Sequence, residues 1–219
     1  MKIFLDTADV NKLRLYSDMG LIDGVTTNPT HLSTVGGDPV KHVREICALF
    51  PEGDISVEVT ETDPAQIYAQ AKKIQALHSN VVVKVPAHKQ YIATIRRLVD
   101  EGVAINVTLV FSVLQGLCMA KLGVRYISPF IGRLDDSGTD GIQVVAELRE
   151  VFDNYSFDTQ ILAASIRDVA QVHDAAVIGA DAVTMPPEIF EKMITHPLTD
   201  QGMQLFNAAW QQLGVRQFP

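Results

Sequence analysis

The chain has 219 residues, of which 47% are hydrophobic and 20% charged, and its formal net charge is −8. This composition is typical of a folded globular protein and excludes a largely disordered chain. The negative charge argues against nucleic acid or an anionic membrane as a general partner, so the cations that bind any anionic substrate must be supplied locally.

The N-terminal residues and the cysteines predict a cytoplasmic protein. The chain begins MKIFLDTADV and reaches Asp6 after three apolar positions, so we expect no secretory signal peptide. No stretch approaches the about 18 apolar residues of a membrane span. Cys47 and Cys118 are too few and too distant to suggest a disulfide framework or a zinc site. The six histidines have no metal-binding spacing, so we expect no catalytic metal.

Eight short apolar stretches, rich in β-branched residues, recur along the chain and predict strands. In chain order they are KIFLDT (2–7), GVTTN (24–28), DISVEV (54–59), NVVVKVP (80–86), AINVTLV (104–110), YISPFIG (126–132), QILAAS (160–165) and DAVTMP (181–186). The segments between them have helical spacing; in the segment 64–77, for example, Ile67, Ala71 and Ile74 fall on one helical face.

Apolar strands alternating with helices indicate an α/β fold with a parallel sheet covered on both faces. Eight units of about 27 residues predict a (β/α)₈ barrel, or TIM barrel, formed by residues 1–219 as a single domain. A doubly wound open sheet is the alternative. That fold usually has fewer strands, and its nucleotide-binding form has a glycine-rich turn after the first strand, where this chain has DTAD (6–9).

In such barrels the chemistry collects at the C-terminal ends of the strands. Seven of the eight predicted strands deliver a polar residue there, namely Asp6, Thr26, Asn28, Glu58, Lys84, Asn106, Thr108, Ser128, Ser165 and Arg167. Several have a structural alternative. Asp6 could cap the helix that follows it, and Asn28 could bond the backbone ahead of Pro29. Glu58, Asn106 and Thr108 could face solvent.

Lys84 interrupts the apolar run VVVKVP (81–86). A charge in such a strand usually protects an exposed sheet edge, and a closed barrel has no edge. We therefore predict that Lys84 points into the barrel mouth, where burial away from any counter-charge favours a neutral, nucleophilic amine. On this interpretation, alanine at position 84 would leave a cavity and no unpaired charge. Asp6 and Glu58 are the nearby carboxylates that could move protons.

Arg133 and Arg167 follow the sixth and seventh strands, and together with Ser165 they suit a phosphate group. Surface salt bridges are the alternative role for either arginine. The residues alone thus predict a Schiff-base lyase or transferase that acts on a phosphorylated carbonyl compound, and they leave the substrate open.

Six features in order carry a resemblance to a known family. They are Asp6, TTNPT (26–30), VVVKVP (81–86), NVTLVFS (106–112), SPFIGRLDD (128–136) and AASIR (163–167). With these features the chain resembles the transaldolases of the short, single-barrel kind over nearly its whole length. The resemblance implies transfer of a dihydroxyacetone unit between sugar phosphates of the pentose phosphate pathway, through a lysine Schiff base and without a metal or organic cofactor. The implied reaction converts sedoheptulose 7-phosphate and glyceraldehyde 3-phosphate to erythrose 4-phosphate and fructose 6-phosphate.

The resemblance also implies roles for individual residues. Lys84 matches the Schiff-base lysine, and Asp6 matches the carboxylate that takes a proton from the hydroxyl beside the bond that breaks. Glu58 and Thr108 match the pair that holds a water during dehydration. The implied substrate-binding residues are Thr26, Asn28, Asn106 and Ser128 for hydroxyls, and Arg133, Ser165 and Arg167 for phosphate, with Phe130 beside them in the site.

Two alternatives remain. Fructose-6-phosphate aldolase has the same barrel and lysine but releases dihydroxyacetone; it has glutamine at the position of Glu58, tyrosine at that of Phe130, and no counterpart of Asn106. The sequence therefore favours the transaldolase branch. The second alternative is a sugar-phosphate binding barrel without catalysis. The stretch Ala87–Gln90 departs from the family pattern, and we interpret His88 as a local substitution without a catalytic role.

The resemblance further implies a homo-oligomeric ring, such as a decamer, in which the C-terminal helix reaches a neighbouring subunit. Residues 201–219 are predicted to form this helix. Its apolar stripe consists of Met203, Phe206, Trp210 and Leu213, which recur at helical spacing and need a partner surface.

Overall fold

The structure is a computed structural model and describes residues 1–214. Eight parallel strands form a closed barrel in chain order, with β1 paired to both β2 and β8. The strands are β1 (Lys2–Asp6), β2 (Gly24–Thr26), β3 (Asp54–Glu58), β4 (Val81–Pro86), β5 (Ile105–Val110), β6 (Tyr126–Pro129), β7 (Gln160–Ala163) and β8 (Ala182–Met185). The predicted barrel is confirmed, and closure excludes the open sheet.

Helices surround the barrel. They are α1 (Val10–Ser17), α2 (Pro29–Val35), α3 (Pro39–Leu49), α4 (Pro64–Gln75), α5 (Ile92–Asp100), α6 (Val113–Ala120), α7 (Ile131–Asp136), α8 (Gly141–Tyr155), α9 (Val169–Ile178), α10 (Pro187–Ile194) and α11 (Pro197–Gln212). None of the helices in the described part of the chain is long and apolar enough to cross a membrane.

Two predicted boundaries differ from the structure by three or more residues, and several others differ by one or two. The sixth strand ends at Pro129 instead of 132, because Phe130 makes only an isolated bridge to Ala164 and Ile131 already begins α7. The C-terminal helix begins at Pro197 instead of 201, where proline fits the first helical turn and the ring of His196 accepts the N–H of Leu198. The predicted helical residues 215–219 lie outside the described residues.

The barrel interior is closed at its N-terminal end by a small apolar cluster that includes Phe4, Val82 and Tyr126. The Tyr126 hydroxyl donates a hydrogen bond to Asp54 Oδ2 at 2.6 Å. Burial, followed by this carboxylate, raises the pKa of Tyr126 well above its ordinary value. The interior is thus packed at this end, and any reaction chamber must lie at the other end.

One line of neighbouring residues runs diagonally through the barrel and is called the diagonal row below. Across successive strand pairs, Glu58 aligns with Lys84, Lys84 with Asn106, and Asn106 with Tyr126. Because barrel strands are tilted against the barrel axis, aligned residues on successive strands lie at successively different depths. The diagonal row therefore descends from the C-terminal mouth to the apolar cluster.

Candidate active site

A cavity of about 620 Å³ opens at the C-terminal ends of the strands. Eleven of the twelve predicted site residues line it, namely Asp6, Thr26, Asn28, Glu58, Lys84, Thr108, Ser128, Phe130, Arg133, Ser165 and Arg167. These eleven residues bring one amine, two carboxylates, several hydroxyl groups and two guanidinium groups around a single cavity.

Lys84 lies in the wall of this cavity and is paired. Its Nζ is 3.0 Å from Glu58 Oε2, and the two side chains are 7% and 14% exposed. The same Nζ donates a hydrogen bond to the carbonyl oxygen of Thr27 at 3.2 Å. The prediction of a lysine remote from counter-charge was therefore wrong. The physical reason is strand register, because β3 and β4 align Glu58 directly with Lys84.

Thr108 is fully buried, and its Oγ1 has no hydrogen-bond partner among the described residues. Both Thr108 and the adjacent Leu109 line the cavity, which a regular strand cannot achieve because successive side chains alternate between faces. Here the register of β5 shifts between Val107 and Val110, and Leu109 has a left-handed φ of 58°. The irregularity turns the strand so that an unpaired hydroxyl remains at the cavity wall.

Asp6 is hydrogen-bonded to Thr26, which is in turn hydrogen-bonded to Thr184. Its Oδ1 accepts a hydrogen bond from Thr26 Oγ1 at 2.7 Å, and Thr26 Oγ1 is also 2.7 Å from Thr184 Oγ1. The alternative that Asp6 caps α1 was wrong, since the capping carboxylate is that of Asp9, which accepts from Asn11 and Lys12 N–H groups. Asp6 is therefore free of capping and can act in the cavity.

Asn28 has a structural role in addition to its place in the cavity wall. Its Oδ1 accepts the N–H of His31 at 2.9 Å and caps α2, as the structural alternative predicted. Pro29 occupies the first turn of that helix. The TTNPT stretch thus forms a rigid entry to α2 that places Asn28 and His31 at the cavity.

Asn106 does not line the cavity. Its Nδ2 donates to Ser56 Oγ at 3.1 Å, and its Oδ1 accepts from Ser128 Oγ at 2.7 Å, with all three residues buried. The expectation that Asn106 holds a substrate hydroxyl directly is not supported by this position. The tilt of the strands places it one step below Lys84 on the diagonal row, where it orients Ser128.

The two predicted arginines follow β6 and β7: Arg133 lies in α7, and Arg167 lies in the loop after β7. The Arg133 guanidinium carbon is 5.1 Å from the centroid of the Phe130 ring. Arg167 Nη2 donates to Asp136 Oδ2 at 3.0 Å, and both side chains of this pair are exposed. The salt-bridge alternative for Arg167 is thus confirmed. An exposed pair contributes only about 0–1 kcal/mol, so it can be exchanged for a phosphate at little cost.

A close backbone approach holds the loop after β7 in place. The N–H of Gly132 donates to the carbonyl oxygen of Ser165 at 3.0 Å, and Ser165 itself has a left-handed φ of 60°. A Cβ at position 132 would lie 2.3 Å from that oxygen. Only glycine fits there, and the contact fixes Ser165 at the cavity wall.

Four polar cavity residues were not predicted. Thr184 lies inside β8, Thr30 and His31 lie in the first turn of α2, and Glu188 lies in the first turn of α10. Glu188 pairs with Lys12 of α1 at 2.5 Å, and this contact lowers the pKa of Glu188 and raises that of Lys12. The sequence signal for His31 was its place directly after TTNPT, and a search limited to strand ends misses it.

In the stretch after β4, the ring of His88 makes local contacts. His88 Nδ1 accepts the N–H of Gln90 at 3.4 Å, and its ring lies 5.1 Å from that of Tyr91. His88 does not belong to the residues that line the cavity. This arrangement agrees with the interpretation of His88 as a local substitution. Within residues 1–214, no group of three or more His, Cys, Asp or Glu side chains could hold a metal ion.

Comparison with known proteins gives consistent matches. The family model described as Transaldolase/Fructose-6-phosphate aldolase matches residues 39–217. A protein of Chelativorans sp. (strain BNC1), named "Probable transaldolase", is 46% identical over 216 residues, covering 99% of each chain. Proteins of the same name from Phenylobacterium zucineum (strain HLK1) and Rhizobium meliloti (strain 1021) are 46% and 44% identical, covering 98% and 99% of each chain.

A solved structure shares the fold at low sequence identity. It is that of a doubly substituted flavocytochrome b2 with sulfite bound, and it superposes with a TM-score of 0.60 at 14% identity. The match covers 85% of this chain and 56% of that protein. At this identity the likeness concerns the barrel alone.

Proposed function

The chain belongs to the transaldolase/fructose-6-phosphate aldolase family, and from this premise we propose that it is a transaldolase acting through a Schiff base on Lys84. The proposed reaction transfers a dihydroxyacetone unit from sedoheptulose 7-phosphate to glyceraldehyde 3-phosphate, giving erythrose 4-phosphate and fructose 6-phosphate in the pentose phosphate pathway. The observation that carries the proposal is the buried Lys84–Glu58 pair in the wall of a cavity that also holds Arg133 and Arg167.

The first half of the mechanism forms the Schiff base. Glu58 takes a proton from the Lys84 ammonium across their 3.0 Å contact, and the neutral amine attacks the ketone carbon of the donor. The resulting carbinolamine loses its hydroxyl as water, for which Glu58 supplies the proton. The unpaired Thr108 hydroxyl can hold this water at the cavity wall.

The second half breaks and remakes a carbon–carbon bond. Asp6 takes the proton of the C4 hydroxyl while the C3–C4 bond breaks, and the bond electrons pass to the iminium nitrogen to give an enamine on Lys84. The aldose product leaves, and the enamine attacks the aldehyde carbon of the acceptor. Asp6 returns its proton to the new C4 hydroxyl, and water then releases the ketose from Lys84.

Substrate binding follows from the same cavity. Thr26, Asn28 and Ser128 are placed to bind hydroxyl groups of the three-carbon unit, with Asn106 supporting Ser128 from below. Arg133, Ser165 and Arg167 form the end that suits a phosphate group.

Transfer is favoured over release of dihydroxyacetone by two side chains. Phe130 has no hydroxyl with which to hold a water near the enamine, and Glu58 provides a carboxylate at the amine. Fructose-6-phosphate aldolase remains the alternative. Rapid formation of free dihydroxyacetone from fructose 6-phosphate without an acceptor aldehyde would decide for it.

Borohydride trapping tests the covalent mechanism. The protein is incubated with fructose 6-phosphate, reduced with borohydride, digested and read by mass spectrometry. We expect a reduced three-carbon adduct on Lys84, and none in a Lys84→Met variant. Lys72→Met is the matched control, because Lys72 forms a partly exposed ion pair with Glu101, neither residue lines the cavity, and the adduct should be unchanged. Absence of any adduct would favour the binding barrel without catalysis, and an adduct on another lysine would remove Lys84 from the mechanism.

We also propose that α11 packs on a neighbouring copy in a ring assembly, such as a decamer. This helix has no buried residue, and several of its large apolar side chains are exposed, namely Leu198, Met203, Leu205, Phe206 and Leu213. A chain that ends at residue 196 should form smaller assemblies in analytical ultracentrifugation. Unchanged assembly size would contradict the role of α11.

A cytoplasmic location is proposed with the pathway, and the free thiols of Cys47 and Cys118 support it.

A further inference from the structure

We propose that Gln171 is a positioning residue for the phosphate-binding end of the cavity. It fixes the backbone of Arg167 relative to α7, the helix that carries Arg133, and thereby favours phosphorylated over unphosphorylated sugars. This inference rests on the proposed function, since it concerns how the proposed cavity binds a phosphate group. The carrying observation is that the Gln171 side chain accepts the N–H of Arg167 at 2.7 Å and donates to Asp135 Oδ2 at 2.6 Å.

The bond from Arg167 to Gln171 is separate from the cap of α9. That cap is Asp168, whose side chain accepts the N–H of Gln171 at 2.9 Å. In the usual capping box, the side chain three residues after the cap reaches back to the N–H of the cap residue itself. The Gln171 side chain reaches one residue further, to the N–H of Arg167. The backbone that it fixes is therefore that of the cation in the cavity wall.

The other end of the Gln171 amide reaches α7. Because Gln171 Oε1 accepts an N–H, its Nε2 must be the atom that faces Asp135, which is the orientation that a carboxylate partner requires. The second oxygen of Asp135 accepts the N–H of Gly141 at 2.9 Å, so this carboxylate is itself held between α7 and α8. Arg133 lies in α7. Both arginines thus belong to one hydrogen-bonded unit, in which Gln171 is the link.

Such a link affects phosphate binding more than sugar binding. The Arg167 side chain is 58% exposed and pairs with Asp136, so it loses conformational freedom when it binds a ligand. A backbone fixed in advance lowers that cost, and two guanidinium groups can bind one phosphate only if their spacing is suitable. An unphosphorylated sugar does not depend on this spacing. Asp135 is exposed and Gln171 is partly exposed, so we expect an effect of moderate size.

Gln171→Met tests the link, because methionine has a similar length and makes neither hydrogen bond. We expect kcat/KM for fructose 6-phosphate to fall about three- to tenfold through a higher KM, and kcat/KM for fructose to stay unchanged. Gln70→Met is the matched control. Gln70 likewise accepts backbone N–H groups of a loop, those of Thr60 and Glu61 after β3, and none of these three residues lines the cavity. A fall shared equally by both sugars, no fall, or an equal fall in the control would overturn the proposal.

A reversal of the Gln171–Asp135 contact provides a rescue experiment. Gln171→Glu keeps an acceptor for the N–H of Arg167 but sets two carboxylates against each other. Adding Asp135→Asn turns the second carboxylate into an amide that donates to position 171 and still accepts the N–H of Gly141. The double variant has the net charge of the wild type. Its kcat/KM for fructose 6-phosphate should return toward the wild-type value, and a double variant as impaired as Gln171→Glu would contradict the link.

Binding of inorganic phosphate separates this inference from the proposed function, because it requires no turnover. In isothermal titration calorimetry, we expect the Kd of phosphate to rise about three- to tenfold in Gln171→Met and to stay unchanged in Gln70→Met. Equal values in the wild type and Gln171→Met, or no binding by the wild type, would overturn the inference. The borohydride adduct on Lys84 should form in both variants. Its absence in the wild type would overturn the proposed function, while the phosphate titration would still decide the role of Gln171.

Discussion

Replacing Lys84 by alanine should destabilise the fold more than replacing Lys84 and Glu58 together. Alanine removes most of the lysine stem, at a cost of about 2–3 kcal/mol for lost burial and a residual cavity. It also leaves the Glu58 carboxylate, only 14% exposed, without the ammonium that stood 3.0 Å away. An unpaired buried acceptor costs about 1–3 kcal/mol. This cost contradicts the sequence-based expectation that no charge would be left unpaired.

The double variant Lys84→Ala/Glu58→Gln keeps the cavity and removes the charge. Its free energy of unfolding in urea at pH 7 should therefore exceed that of Lys84→Ala by about 1–3 kcal/mol, measured at one protein concentration.

The reasoning fails if the double variant is equal to or less stable than the single one at pH 7. Neither variant should form a borohydride adduct at position 84, so the stability comparison is independent of the trapping experiment.

Three further predictions concern separate parts of the barrel. Thr26→Val removes the 2.7 Å hydrogen bond to Asp6 and the proposed contact with a substrate hydroxyl, and should lower kcat/KM about tenfold in steady-state assays; an unchanged kcat/KM would contradict it. Arg133→Ala should raise KM for a phosphorylated donor about 10- to 100-fold, and leave the rate with unphosphorylated fructose as the donor unaltered; equal losses with both donors would exclude a phosphate role. Tyr126→Phe should lower the free energy of unfolding by about 1–2 kcal/mol without changing kcat, because Asp54 loses one 2.6 Å bond far from the mouth; an altered kcat would refute this separation.

The strands could be predicted from sequence because a barrel strand buried on both faces is a short continuous apolar run. Lys84 stood out for the same reason, as a cation in such a run. Glu58 was expected to lie nearby, but its direct pairing with Lys84 could not be predicted with the same method, since this contact depends on the register between β3 and β4. Register is a relation between strands, and the apolar pattern of each strand alone does not contain it.

The positions of Asn106, Thr108 and His31 depend on features that the pattern of a single strand does not contain. Asn106 has the correct side-chain direction for the barrel interior, but the tilt of the strands places it below the cavity. Thr108 and Leu109 both line the cavity because β5 departs from regular strand geometry. Nothing in the sequence NVTLVFS predicts this irregularity. His31 lies on a helix and is brought to Asp6 by the cap of α2.

The diagonal row has a consequence for how such a protein can change over evolutionary time. Its members, Glu58, Lys84, Asn106 and Tyr126, join the reacting amine to the apolar cluster at the far end through neighbouring strands. A substitution of Glu58 or Lys84 alters chemistry and stability together, so it must be accompanied by compensating changes. His31 and Glu188 stand on helices outside the row and still reach the cavity. Substitutions in α2 and α10 can therefore adapt the cavity to new substrates, because they reshape its wall without changing the residues of the diagonal row.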